Sequence, residues 1–207
     1  MKKSFKTEPI ISGILLASGS SRRFGSPKQL LKWQGDYLIN YVINEILKSQ
    51  INQLFVVLGD HYTEISQVID QKSKIIFNKN WMVGKSSSIE TGIAQLGERV
   101  QGAIFFVVDQ PYINFEIINK LISEFKNSPN HIIIPRINGY ISNPVLFGRK
   151  YFDELIKLTG EKGGKVIINK SKYVKWVDWD DEKLLLDIDT QKDYEKMIES
   201  QNPKSSF

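Results

Sequence analysis

The chain is predicted to form an α/β fold: three α/β/α layers around a mostly parallel sheet, with a small β-hairpin insertion. Three observations predict it. Near-continuous apolar runs of strand length recur along the chain, amphipathic helical patterns separate them, and an Asn-Gly pair interrupts the alternation late in the sequence. Strands covered on both faces lose the apolar–polar alternation of half-exposed strands, so uniform short runs point to a buried parallel sheet.

The elements follow in order. Ile10–Leu16 reads as the first buried strand, Leu54–Leu58 as the second and Ala103–Val108 as the most apolar, with Lys74–Phe77 and His131–Pro135 as shorter candidates. Between them Leu38, Val42, Ile43, Ile46 and Leu47 fall at helical spacing. So do Ile65, Val68 and Ile69, and then Ile117, Leu121, Ile122 and Phe125. Strand–helix–strand alternation implies right-handed crossovers and an open sheet. After Pro135 the pattern changes. Asn138-Gly139 between β-type residues predicts a tight hairpin. Helical segments are expected at about Arg149–Leu158 and Lys162–Asn169, then a strand around Tyr173–Trp179. A last helix is expected over Thr190–Glu199, with Thr190 and Asp193 at capping-box spacing. Residues 1–200 are expected to form one domain, with a nucleotide-binding part at about 8–112 and an acceptor-binding part at about 113–200. Residues 201–207 form a tail.

Composition removes several classes of chemistry. Among 207 residues there is no cysteine, which excludes disulfides, thiolate metal sites and thiol nucleophiles. Two histidines, His61 and His131, leave little for a histidine-built metal centre. No apolar run approaches the length of a membrane span, and no signal-peptide pattern follows the basic first residues, so a cytoplasmic protein with no membrane partner is expected. The 28 lysines and arginines exceed the 23 acidic residues for a net +5, but they are scattered rather than gathered into a basic tract. Nucleic acid is therefore not expected as a partner.

Four segments carry candidate chemistry. After the first strand, Leu16-Ala17-Ser18-Gly19-Ser20-Ser21 runs on to Arg23 and Lys28. Small residues let backbone N–H groups approach phosphates, and the two cations supply charge. Neither the Walker A spacing nor the dinucleotide glycine fingerprint is present, so a solvated glycine-rich turn is the other reading. Val108-Asp109-Gln110-Pro111 ends the most apolar strand, where ligands of open α/β sheets gather, and Asp109 there is either a Mg²⁺ ligand or a strand terminator. Extended alternation puts Asp187 and Asp189 on one side with Ile188 opposite, so that either completes a metal site or Asp189 serves the following helix. Asn78 through Ser88 places hydroxyls at a helix start, as caps or as readers of a nucleobase edge.

Taken together and in this order, these motifs resemble the molybdenum cofactor cytidylyltransferase group of the MobA-like nucleotidyltransferases. The signature L-A-A-G-x-S-x-R-M-G-x-x-K is similar to Leu16 through Lys28, and the N-x-x-x-x-x-G-x-x-S-S/T segment to Asn78 through Ser88. G-D-Q-P resembles Val108-Asp109-Gln110-Pro111, and G-N-P-V-L-F resembles Ser142-Asn143-Pro144-Val145-Leu146-Phe147. G-D-x-G-A-R is similar to Gly160-Glu161-Lys162-Gly163-Gly164-Lys165, and D-I-D-T is present as Asp187–Thr190. The chain departs from the pattern at Ser18, Phe24, Val108, Ser142 and Lys165.

The resemblance implies a Rossmann-like nucleotidyltransferase fold and a Mg²⁺-dependent reaction. CMP would move from CTP to the terminal phosphate of molybdenum-loaded molybdopterin, releasing pyrophosphate, with a molybdenum hydroxylase as a recipient of the product. It implies Lys28, Arg23 and Asp109 as catalytic residues and Asp109 with Asp189 as metal ligands. Nucleotide contacts would come from Leu16 to Ser21, Arg23, Lys28, Gly59, Ser86 and Ser88. Acceptor contacts would come from Gln110, Pro111, Asn143, Pro144, Gly163 and Lys165. A GTP-using guanylyltransferase, a transferase for a sugar phosphate or similar acceptor, and a non-catalytic cofactor carrier are the alternatives.

Overall fold

A computed structural model describes residues 8–21, 24–69 and 73–201. The strands are β1 (Ile10–Ala17), β2 (Lys32–Trp33), β3 (Asp36–Tyr37), β4 (Gln53–Leu58), β5 (Lys74–Phe77), β6 (Val100–Val107), β7 (Ile132–Ile137), β8 (Tyr140–Ile141), β9 (Val145–Gly148) and β10 (Val174–Asp178). The helices are α1 (Leu38–Leu47), α2 (Tyr62–Val68), α3 (Lys85–Ile93), α4 (Phe115–Asn127), α5 (Phe152–Leu155), α6 (Lys165–Ile168) and α7 (Gln191–Gln201).

The large sheet runs β10-β7-β9-β6-β1-β4-β5, with β8 paired to β7. β1 pairs in parallel with both β4 and β6, β4 with β5, and β7 with β10. Only β9, set between β6 and β7, and the short β8 run antiparallel in it. The predicted α/β fold, mostly parallel with a small antiparallel hairpin, is the one observed.

Both faces of the sheet are covered, as the uniform apolar runs require. On β6, Ile104 and Phe106 enter one core while Ala103 and Phe105 enter the other. The first core packs against α1 and α4 through Leu38, Val42, Ile46, Ile117, Leu121 and Phe125. The second lies beneath α3, α5 and α6 through Ile89, Phe152, Leu155, Ile167 and Ile168.

The Asn138-Gly139 turn forms with left-handed φ angles of 49° and 85°, the backbone that a two-residue hairpin turn of this type needs. Two expected helices are shorter than their patterns. Arg149–Leu158 yields a 3₁₀ turn at Arg149–Tyr151 and the single turn α5, with the Arg149 guanidinium donating to the carbonyls of Gly97 and Val100. Lys162–Asn169 yields only α6, since Gly163 and Gly164 cost too much backbone entropy to extend it. β9 and the β2–β3 hairpin add to the predicted elements.

Parallel β1, β4 and β6 end on the same edge, so Ala17, Leu58 and Val107 deliver their following loops to one rim. In such sheets that rim is where ligands bind.

Candidate active site

The loop leaving β1 is braced from below. Ser18 is buried and its hydroxyl donates to the Val57 carbonyl at 3.0 Å. The Ser18 carbonyl accepts the Asp60 N–H at 3.2 Å. Buried Gln29 donates from Nε2 to the carbonyls of Ala17 and Gly19, at 2.8 and 3.3 Å. The Lys28 N–H donates to the Ser21 hydroxyl at 3.1 Å, closing the loop on itself. On its outer side a Cβ added to Gly19 would meet nothing within 4 Å. The described part of the loop is therefore held from below, and at Gly19 it is open where a ligand would approach. Arg23 lies outside the described residues.

Three carboxylates and one ammonium meet beside it. Lys28 Nζ lies 3.2 Å from Asp109 Oδ2 and 3.6 Å from Asp189 Oδ1, and donates to the Ile188 carbonyl at 2.7 Å. The Ile188 N–H donates to the Asp109 carbonyl at 2.8 Å, and the Ile188 side chain is fully buried. The backbone between Asp187 and Asp189 is thus pinned to the end of β6 from the inside. Asp187 accepts the Gln110 Nε2–H at 2.8 Å. Burial pushes the Asp187 carboxyl above the usual carboxylate range; the Gln110 donation opposes this, and the negative charges of Asp109 and Asp189 add to it.

Two clefts adjoin here. The first, about 540 Å³, is lined by Leu16 through Ser21, Lys28, Trp81, Ser88, Asp109 and Asp189. The second, about 640 Å³, lies under the Gly160–Lys165 turn, with Phe105, Phe147, Leu155, Gln110 and Lys165 in its wall. Leu16, Lys85, Val107, Asn143, Glu161 and Asp187 line both.

Asp109 and Asp189 face one nitrogen from within 4 Å, so a single cation reaches both. Two carboxylates with open positions suit a hard divalent ion such as Mg²⁺ that completes its shell with water and phosphate oxygens. Among the described residues no group of three or more histidine, aspartate or glutamate side chains forms a ready cage. The donor set therefore fits an ion brought in with its phosphates better than a permanent structural metal.

Most residues singled out from the sequence thus converge, but several do not line the clefts. Gly59 lies beneath the first one, where a Cβ would stand 2.4 Å from that of Trp81 and 2.7 Å from the Ser18 carbonyl oxygen. Its value is close packing, which leaves it no contact surface. Buried Ser86 is tied by its N–H to the Gly160 carbonyl at 3.0 Å, and only Ser88 of that pair reaches a cleft. Pro111 and Pro144 line neither cleft, whereas Asn143 lines both and Gly163 the second. Val108, where the resembled pattern has glycine, packs in the first core and also borders the first cleft. Ser142 donates to the Leu184 carbonyl at 2.7 Å and anchors the hairpin. Gln29 and Lys85 were not anticipated: one is buried under a loop and the other stands at an unspecified position of the Asn78–Ser88 motif.

No helix among the described residues is long and apolar enough to cross a membrane. A probable molybdenum cofactor guanylyltransferase of Natranaerobius thermophilus is 32% identical over 135 residues, which are 63% of this chain and 62% of that relative. The chain thus matches less than two thirds of that relative's length. The purine catabolism protein PucB of Bacillus subtilis is 22% identical over 198 residues, 90% of this chain and 95% of the relative. A Mycobacterium tuberculosis protein crystallised with manganese superposes with a TM-score of 0.80 at 23% identity, over 92% of this chain and 99% of that one, a likeness of fold. The model of the MobA-like NTP transferase domain matches residues 13–175, and the chain belongs to that family.

Proposed function

We propose that this nucleotidyltransferase moves CMP from CTP to the terminal phosphate of molybdenum-loaded molybdopterin and releases pyrophosphate. One observation carries the reading: two clefts share a wall at Asn143 and Asp187, and the Lys28–Asp109–Asp189 cluster lies on the first. That is the geometry for two phosphorylated substrates that must meet at one phosphorus atom.

An oxygen of the acceptor phosphate forms a bond to the α-phosphorus, and the bond from that phosphorus to the β-phosphate bridging oxygen breaks, its electrons leaving with pyrophosphate. Both reactants are anions, so the protein's task is neutralisation and alignment rather than covalent chemistry. Gly19, Ser20 and Ser21 offer backbone and hydroxyl donors to the triphosphate. Lys28 stands where the α-phosphate and the incoming phosphate approach, and Arg23 serves the leaving group. Asp109 and Asp189 would hold a divalent ion, which would supply charge neutralisation on the phosphate oxygens. Asp187, already bonded to Gln110, is the less suited ligand. The manganese complex of the structural relative supports a divalent ion.

Base choice falls to the first loop and to Ser88, and Gln110, Asn143, Gly163 and Lys165 face the acceptor. The guanylyltransferase name carried by a 32% identical relative favours GTP as the second reading. A matrix of CTP, GTP, ATP and UTP against molybdenum-loaded molybdopterin and common sugar phosphates, read as pyrophosphate release, tests both. Turnover confined to CTP with molybdopterin is expected. Preference for GTP, or for a sugar phosphate, replaces the proposal.

A further inference from the structure

The nucleotide cleft contains two described lysines, and Lys28 is bound to Asp109 and Asp189. The other, Lys85, also lines the acceptor cleft, which Lys162 and Lys165 do without reaching the first. Among the described residues Lys85 makes no ion pair, although the Glu161 carboxylate lines the same two clefts and its Oε1 would lie 2.9 Å from a Cβ on Gly84. The Lys85 stem crosses the acceptor turn: a Cβ added to Gly163 would lie 3.2 Å from Lys85 Cδ. Its backbone is fixed to the same turn, because a Cβ on Gly84 would come within 2.6 Å of the Gly160 carbonyl carbon and the Ser86 N–H donates to the Gly160 carbonyl. A cation with a fixed root and an exposed head therefore stands at the passage between the clefts.

The acceptor cleft behind it sets Phe105, Phe147 and Leu155 beside polar side chains: Gln110 is bonded to Asp187 and Ser142 to the Leu184 carbonyl, while Asn143 and Asn169 also line it. Such a wall receives a flat ring with polar edges and leaves the phosphate to be caught at the mouth. We propose that Lys85 seats the phosphate of the acceptor and so selects phosphate monoesters carried by a flat ring system, pointing an oxygen towards the neighbouring cleft. This deepens the transfer reading above and rests on it.

Phenyl phosphate is the probe, titrated calorimetrically into the full chain alongside CTP with Mg²⁺. Lys85→Ala is expected to weaken phenyl phosphate roughly ten- to a hundredfold, the usual effect of removing a charged hydrogen-bond donor, with CTP affinity unchanged and Lys85→Arg restoring part of the loss. Unchanged phenyl phosphate binding, a loss falling on CTP instead, or no binding by the unsubstituted protein overturns it. Circular dichroism verifies that the variants fold. If phenyl phosphate binds through Lys85 yet no acceptor releases pyrophosphate, the seat stands and the transfer reading falls.

Discussion

At the scale of single residues, the decisive arrangement is one ammonium from the first part of the chain held by two carboxylates, one from its middle and one from near its end. Lys28 is only 12% exposed, whereas Asp109 and Asp189 are 31% and 42% exposed. The cation is enclosed and the anions keep one side towards the cleft, so an incoming metal ion meets carboxylates before it meets lysine. Asp109→Asn keeps the side-chain shape and removes the charge. It is expected to abolish Mg²⁺-dependent pyrophosphate release while leaving the circular dichroism spectrum unchanged; near-normal turnover removes Asp109 from the chemistry. Lys28→Ala is expected to lower kcat by roughly a hundredfold or more, as loss of a preorganised electrostatic group does. A rate within a factor of about two of the parent leaves Lys28 no role at the reacting phosphates. These residues were legible in the sequence because each sits in a motif. Gln29 was not, since its contribution is two hydrogen bonds to carbonyls 12 and 10 residues away, a relation no local pattern records.

At the scale of elements, the site depends on how tightly α3 and α7 are set against the sheet. Gly92 of α3 lies over β1, where an added Cβ would come 2.5 Å from Ile14 Cγ2. Gly92→Ala is therefore expected to cost about 1–3 kcal/mol through overpacking, measured by denaturant titration, despite alanine's better helix propensity. At the start of α7, Asp193 accepts from the Thr190 hydroxyl and N–H, both at 2.8 Å, and the Thr190 hydroxyl receives the Asp193 N–H at 3.3 Å. These donations from Thr190 hold the Asp193 carboxyl below its usual range. A folded-state pKa below the unfolded one stabilises the ionised protein at pH above the usual carboxylate range and loses that stability as pH falls through the lowered value. The Tm difference between the parent and Asp193→Ala should accordingly be largest near neutrality and close under acid conditions. A difference independent of pH removes the charge from the cap. The capping box and the Asn-Gly hairpin were readable because their chemistry is local. β9 was hidden: four buried residues, Val145–Gly148, say nothing of the antiparallel partners on either side.

For the whole molecule, alternating strands and helices fixed the fold class, but β9's place between β6 and β7 decides how the two ends of the chain cohere. The ladder continues without a break from β5 at one edge to β10 at the other, and each of the two cores draws side chains from both β1 and β7. A boundary near residue 112 would cut no face of either core cleanly, since Ile104 and Ile133 share one and Phe105 and Ile134 the other. The nucleotide and acceptor parts should therefore unfold together. The four tryptophans allow this to be measured, for Trp33 and Trp81 precede that boundary while Trp176 and Trp179 follow it. A variant retaining only Trp33 and another retaining only Trp179 are each expected to show a fluorescence midpoint in guanidinium that coincides with its own far-UV circular dichroism midpoint. Two separated midpoints in either variant would mean that β9 joins two independently stable units, and that the passage at Lys85 can open without unfolding the nucleotide cleft.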